Sequence, residues 1–197
     1  MVRTVNAKSY RGFADLAKHQ VRGRDFDILI CRRSSSRIAV IAPHGGGIER
    51  GTSEIAGAIA GEDFNLYTLE GIRPSRNYDA LHLTSRLFDE PECLALLEKC
   101  SVVVAIHGCK GTDARVLLGG LDGDLKVQLA EALAGAAITV EPEGHRYPAT
   151  NPNNICNRGR SAKGVQLELT RPLRAAATAA RLVSAVRSVL VGLNDAA

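Results

Sequence analysis

The 197-residue chain contains no tryptophan, and its aromatic residues amount to 4% of the total. That leaves little material for stacking bases, so nucleic acid is not the expected partner. No apolar run approaches the ~18 residues of a membrane span, so no membrane insertion is expected. The opening "MVRTVNAKSYRGFADLAKHQ" lacks the apolar core of a secretory signal. The expected setting is therefore the cytoplasm, or the medium after cell lysis. Cys31, Cys93, Cys100, Cys109 and Cys156 are odd in number and form no CxxC pair. They fit reduced thiols, not a disulfide framework or a thiolate zinc site.

The bulk composition is that of a globular domain: 45% hydrophobic, 23% charged, and long enough for a real core. The net charge of +4 is unevenly placed, with six Lys/Arg against Asp15 alone in residues 1–24. A solvated basic face accounts for that excess, and so does attraction for an acidic polymer.

Short β-rich runs alternate with helical patterns. "FDILIC", "RIAVIA", "FNLYTLE", "SVVVAIH", "ARVLLGG", "AAITVE" and "GVQLELT" read as strands, several of them apolar throughout, as strands covered on both faces are. "TSEIAGAIAG" reads as a helix, and "DEPECLALLEKC" opens with Asp89 and Glu92 in capping-box spacing. "DLKVQLAEALAG" ends on Gly135 as its expected C-cap. In the last stretch Leu182, Val186, Val189, Leu190 and Leu193 share a helical face, with Arg174 and Arg181 opposite. No repeat or linker interrupts the pattern. The expectation is a single α/β domain over residues 1–197, with a mostly parallel or mixed central sheet flanked by helices.

Ligands in open α/β sheets bind beyond the carboxyl ends of the strands. His44 ends "RIAVIAP" and His107 ends "SVVVAI", and a glycine follows each. Glu49 stands five residues past His44, across the bare stretch "GGG". His, Glu and His form a ligand set known for catalytic zinc, with a fourth position open to water. A lone strand-end histidine is usually structural, but two at equivalent ends with a nearby carboxylate favour metal. HGGG is also an oxyanion-hole motif of esterases, yet the required G-x-S-x-G elbow is missing: "GTSEI" has no second glycine. A phosphate cradle lacks its Gly-Lys-Ser/Thr ending, and Glu49 would repel the anion. Metal explains both His44 and Glu49.

"HGGGIERGTSEIA", "ALHLTSRLFDEP", "VVVAIHGC", "NPNNICNRG" and "GVQLELT" follow one another as in the poly-γ-glutamate hydrolases, zinc peptidases of phages and bacteria. The chain resembles that family from about Ile38 to Arg174, and departs from it at Arg50, where many members are expected to carry proline. The resemblance implies a fold similar to the zinc carboxypeptidases and hydrolysis of γ-linked glutamyl amides. Carried over by position, His44, Glu49 and His107 would ligate one zinc ion, and Glu168 would be the catalytic carboxylate.

Alternation in "GVQLELT" puts Gln166 and Glu168 on one face and Leu167 and Leu169 on the other. A carboxylate there is expensive unless it is paired or catalytic. As a general base Glu168 would pass a proton from water to the leaving nitrogen. An acidic polymer or peptide as substrate needs cations to hold its carboxylates, and Arg158 is the first candidate, with Arg86 next. His82 is a candidate to orient a ligand, and Asn154 and Asn157 to shape a loop or bond the substrate. Cys109 reads as packing, and His19 and His145 as surface residues. Another acidic amide as substrate, or a non-catalytic polyanion binder with a structural metal, would share most of these residues; Glu168 belongs only to a hydrolase.

Overall fold

All seven β-rich runs form strands, and all seven join one sheet. In the computed structural model, which describes residues 10–195, they are β1 (Phe26–Cys31), β2 (Ile38–Gly46), β3 (Asn65–Gly71), β4 (Val102–Cys109), β5 (Arg115–Gly120), β6 (Thr139–Glu141) and β7 (Val165–Thr170). Their spatial order is β1-β3-β2-β4-β7-β5-β6. The four central strands β3, β2, β4 and β7 run parallel, which explains their near-continuous apolar sequences. β1 lies antiparallel to β3, and β5 antiparallel to β7 with β6 parallel beside it, so the sheet is mixed.

Helices cover both faces. On one side lie α2 (Thr52–Ala60), α5 (Gly123–Gly135) and α6 (Ala176–Asp195). Their Ile55, Ile59, Leu129, Leu133, Leu182, Val186 and Leu190 meet Val40, Val104, Ile106 and Leu167 of the sheet. On the other side α1 (Phe13–Leu16), α3 (Asn77–Leu81) and α4 (Pro91–Leu97) bring Leu16, Leu81, Leu96 and Leu97 against Ile41, Tyr67, Val103 and Ala105. Fully burying one such leucine or isoleucine stabilises by about 1.5–3 kcal/mol, so the sheet is fixed from both sides.

Local readings fare unevenly at the helix ends. Glu90, not Asp89, caps α4, its carboxylate accepting from the amides of Glu92 and Cys93 at 3.0 and 2.7 Å. Asp89 instead accepts from the Phe13 amide at the start of α1. Gly135 is the last residue of α5, and Ala136 is the C-cap. The apolar face of α6 is as expected, but Arg174 precedes the helix in a 3-10 turn over Arg171–Arg174. The basic excess near the N-terminus is partly neutralised within the chain: Arg22 pairs with Asp27 and Glu92, Arg24 with Asp25, and Arg11 with Asp15. Arg3 and Lys8 lie outside the described residues.

Two glycines test the packing in opposite directions. A Cβ on Gly164 would be driven into the Cys156 carbonyl and would stand 2.8 Å from that of Val103, neither of which can swing away. Gly164→Ala should therefore lower the unfolding free energy by about 1–3 kcal/mol, the usual effect of overpacking. Gly192, inside α6, has nothing within 4 Å of such an atom, so Gly192→Ala should raise it by up to about 1 kcal/mol. Denaturant melts check both; equal shifts of one sign would contradict this account.

Candidate active site

β2, β4 and β7 are adjacent, and their carboxyl ends carry His44, His107 and Glu168. His107 and Glu168 are direct register partners and share the face of Val103 and Ala105. His44 would not join them by simple alternation. Ile38, Val40 and Ala42 point to the α2–α6 side, and His44, two residues on, would follow. The pairing of β2 with β3 slips between Ala42 and Gly45, and this bulge turns His44 to the opposite face. Pro43, which has no amide to offer a ladder, sits in the slipped stretch.

The glycine loop then brings Glu49 back. The Glu49 amide donates to the His44 carbonyl at 2.9 Å, closing a tight loop over Gly45–Ile48. Its path runs close against β3 and α3. Gly46 has φ +57°, and a Cβ on it would stand 2.7 Å from the Gly71 carbonyl. A Cβ on Gly47 would collide with the Asn77 amide group. The bareness of "GGG" is thus a requirement of backbone approach and a left-handed turn. Gly108 is bare for the site itself: a Cβ there would meet the Arg174 guanidinium at 2.8 Å and Glu49 Cβ at 3.1 Å. With that space clear, the Gly108 amide donates to Glu49 Oε2 at 2.7 Å.

Four donor side chains converge as a result. His44 Nδ1 lies 3.1 Å from His107 Nδ1 and 3.3 Å from Glu49 Oε1. Glu49 Oε2 is 3.6 Å from His107 Nδ1, and Glu49 Oε1 is 3.6 Å from His82 Nε2. Ligand atoms about 2.0–2.1 Å from a four-coordinate ion lie roughly 3.3 Å apart, so these separations suit a divalent metal. His44, Glu49 and His82 have ligand atoms within 4.8 Å of one another, and His107 faces the same carboxylate. His44 Nε2 meets the Leu83 carbonyl at 2.7 Å; a carbonyl can only accept, so Nε2 donates there and Nδ1 is the nitrogen turned to the centre. His82 stacks on His44 with ring centroids 4.2 Å apart, and Tyr78 stacks on His82 at 4.5 Å.

The charges are strongly perturbed. Burial acts to raise Glu49, but His44 and the contacts from His107 and His82 hold its carboxyl well below the usual range. Burial acts to lower His107, and the Glu49 contact with the charge of Glu168 overrides it and pushes the imidazole up. His82 goes down, through burial and the neighbouring His44. Burial raises the Glu168 carboxyl to about 7. Among the described residues no cation pairs with Glu168. Its Oε1 instead accepts from Gln166 Nε2 at 2.9 Å, and Gln166 Oε1 accepts from Asn154 Nδ2 at 3.1 Å. This relay was not apparent as such in the strand pattern, which placed Gln166 and Glu168 together without showing what Gln166 does.

A cavity of about 360 Å³ surrounds the cluster, lined among others by His44, Glu49, His82, Arg86, His107 and Glu168. Arg86 is therefore at the site. Arg158 is not: it stands exposed past the 3-10 turn Ile155–Asn157, and is absent from the cavity wall. Asn157 is buried and its amide is consumed by backbone. Its oxygen accepts from Leu121 and Gly164, and its nitrogen donates to the carbonyls of Ala149 and Asn151. Asn157 shapes the loop, while Asn154 supports Glu168. Cys109 is buried, with its thiol raised to about 11, and it fits packing. His19 is exposed; half-buried His145 binds the Leu118 carbonyl at 2.9 Å.

Comparison with known proteins settles the class. The model of the poly-gamma-glutamate hydrolase family matches residues 10–185, and the chain belongs to that family. The SPbeta prophage-derived UPF0714 protein YoqZ of Bacillus subtilis (strain 168) is 37% identical over 141 residues, 70% of this chain and 50% of YoqZ. YndL of the same organism is 32% identical over 167 residues, 84% of this chain, and the chain spans 65% of YndL. Among solved structures, a bacteriophage poly-gamma-glutamate hydrolase superposes with a TM-score of 0.89 at 29% identity, covering 95% of this chain and 99% of that one. YndL in a zinc-free apo form superposes at 0.86 and 25% identity, covering 94% of this chain and 99% of that one. No helix among the described residues is long and apolar enough to cross a membrane.

The raised carboxyl of Glu168 has a consequence for the metal-stripped protein. Between the ordinary carboxyl value of about 4.5 and its folded value of about 7, the native state keeps a proton that the unfolded chain has released. Stability must then fall as pH rises through that window. Thermal melts of metal-stripped protein should show midpoints declining from pH 5 to pH 8, with a shallower decline in Glu168→Gln. An unchanged slope in the variant would remove Glu168 as its source.

Proposed function

We propose that the chain hydrolyses γ-glutamyl amide bonds of poly-γ-glutamate with one zinc ion held by His44, Glu49 and His107. The observation that carries this reading is the convergence of His44 Nδ1, His107 Nδ1 and the two oxygens of Glu49, 3.1–3.6 Å apart, beside Glu168, a buried carboxylate that forms no ion pair among the described residues. The family membership supports the substrate class, and the zinc-free description of YndL supports the ion. Zinc bound there supplies Lewis acidity, polarising a carbonyl and making water acidic near neutral pH.

The remaining work falls to the chain. Glu168 takes the proton of the attacking water and returns it to the amide nitrogen as the C–N bond breaks. Its place on the cavity wall, in register with His107, puts it beside the donors where that transfer would occur. Gln166, anchored by Asn154, fixes Glu168 Oε1 and leaves the other oxygen free to face the reacting atoms. The Gly108 amide and the histidines orient Glu49 in the same way. His82, stacked between His44 and Tyr78, positions the centre from the open side.

Substitution separates these roles. Glu168→Gln should retain fold and zinc but lose about 10²–10⁴ in turnover, the usual worth of general acid–base catalysis. Near-normal turnover with a lowered melting point would make Glu168 a structural residue.

Metal analysis decides the ligands. His107→Ala should lose bound zinc along with activity, whereas His82→Ala should keep most of its zinc. The reverse pattern would exchange the two histidines. Chelator should abolish cleavage of purified poly-γ-glutamate and added zinc restore it, read by gel sizing of products. Zinc-replete protein that leaves the polymer intact would overturn the substrate.

A further inference from the structure

Beside the histidine cavity opens a second cleft of about 960 Å³. The two are continuous, sharing Glu49, Tyr78, Gly108, Arg146 and Tyr147. Arg50, Lys110, Arg146, Arg171 and Arg174 line this cleft, against the carboxylates of Glu49 and Asp79 alone. Glu49 faces the histidines, and Asp79 is next to Arg76 at 3.3 Å. Among the described residues none of the five cations pairs with a carboxylate, whereas Arg22, Arg33, Arg115 and Arg187 elsewhere each do. The cleft therefore holds a surplus of positive charge at the door of the site.

Arg174 is the most constrained of the five. Its guanidinium donates to the carbonyls of Arg50 and Cys109, and its Nε is buried with no hydrogen-bond partner. Two neutral carbonyls orient the group without neutralising it, and a buried donor left unmade is costly. Gly108 is bare where this guanidinium passes, within 2.8 Å of a Cβ built there, so backbone room is kept for it beside Glu49. The turn that carries it follows β7 directly, one strand with Glu168.

We propose that this cleft seats the free carboxylates of an acidic polymer, and that Arg174 takes the one next to the scissile bond. The proposal rests on the polyglutamate reading, in which each γ-linked residue keeps its α-carboxylate free. A chain with one anion per residue fits a cleft lined by several unpaired cations, and the planar guanidinium matches a carboxylate through two hydrogen bonds. Arg146, over the Tyr147 ring at 5.3 Å, is held where the cavity and cleft join. Specificity thus falls to residues flanking the metal donors, not to Arg158.

Binding can be read without cleavage. Zinc-loaded Glu168→Gln protein is titrated with a fluorescein-labelled γ-glutamate oligomer, and with the same oligomer bearing primary amides in place of its α-carboxylates. Adding Arg174→Gln should weaken binding of the acid oligomer by about tenfold or more, as loss of a charged hydrogen-bond partner does. The amide oligomer should bind weakly and equally to both proteins. Should Arg174→Gln fail to fold, the double variant Arg146→Gln and Arg171→Gln, both exposed, should still weaken binding, most at low salt, since exposed charges are screened over about 8 Å at physiological ionic strength. Acid and amide oligomers bound alike, or a folded Arg174→Gln binding as its parent does, would overturn the proposal. If the parent binds through Arg174 but wild type never cleaves the polymer, the cleft stands and the hydrolase reading fails. If wild type cleaves and Arg174→Gln changes neither binding nor KM, only the cleft proposal fails.

Discussion

The Glu49 carboxylate, buried against three imidazoles and one backbone amide, is the interaction on which the rest of the site turns. Its two oxygens face all three imidazoles at 3.3–3.6 Å. Removing it would leave His107, itself buried on all sides, without the partner that favours its protonated or donating form. The glycine loop, the bare Gly108 and the closing bond from the Glu49 amide to the His44 carbonyl all serve to deliver that one carboxylate. Burying so many polar groups is costly for folding, and two apolar layers on the sheet offset it.

Glu168 shows a different use of burial. Its neighbours on the strand are leucines that point to the α2–α6 side, so the sheet isolates it from solvent behind, and the side chain that hydrogen-bonds to it is a glutamine. A neutral amide can hold a carboxylate in place without lowering its proton affinity as an arginine would. In the Asn154–Gln166–Glu168 chain, orientation comes from dipoles, and the raised proton affinity comes from burial.

Much of this was legible in the sequence. β-rich runs, several of them apolar throughout, located all seven strands, and strand ends located His44 and His107, while Glu168 came from the resemblance. Single-residue periodicity on β7 correctly separated Gln166 and Glu168 from the leucines. What the pattern could not carry is set by contacts between distant segments. His82 has no strand-end position; it follows α3 and reaches Glu49 only through the fold. Arg158 sits in a motif-rich loop yet ends on the solvent side, because its neighbour Asn157 spends both amide groups anchoring that loop from within. Arg174 looked like the polar side of a helix it does not belong to. The cap of α4 shifted by one residue, a change too small for spacing rules to resolve.

The slip in β2 between Ala42 and Gly45 sets a rule about length and not about identity. Which face His44 serves depends on the number of residues between the last regular pair and the loop, odd or even. Exchanging one aliphatic residue for another in Ile38–Ala42 leaves that parity intact, so the strand can drift in composition while the centre stays assembled. Deleting or inserting one residue there would turn the imidazole into the apolar layer under α2, with every other donor still in place. Divergence along β2 should therefore proceed by substitution, with its residue count held constant.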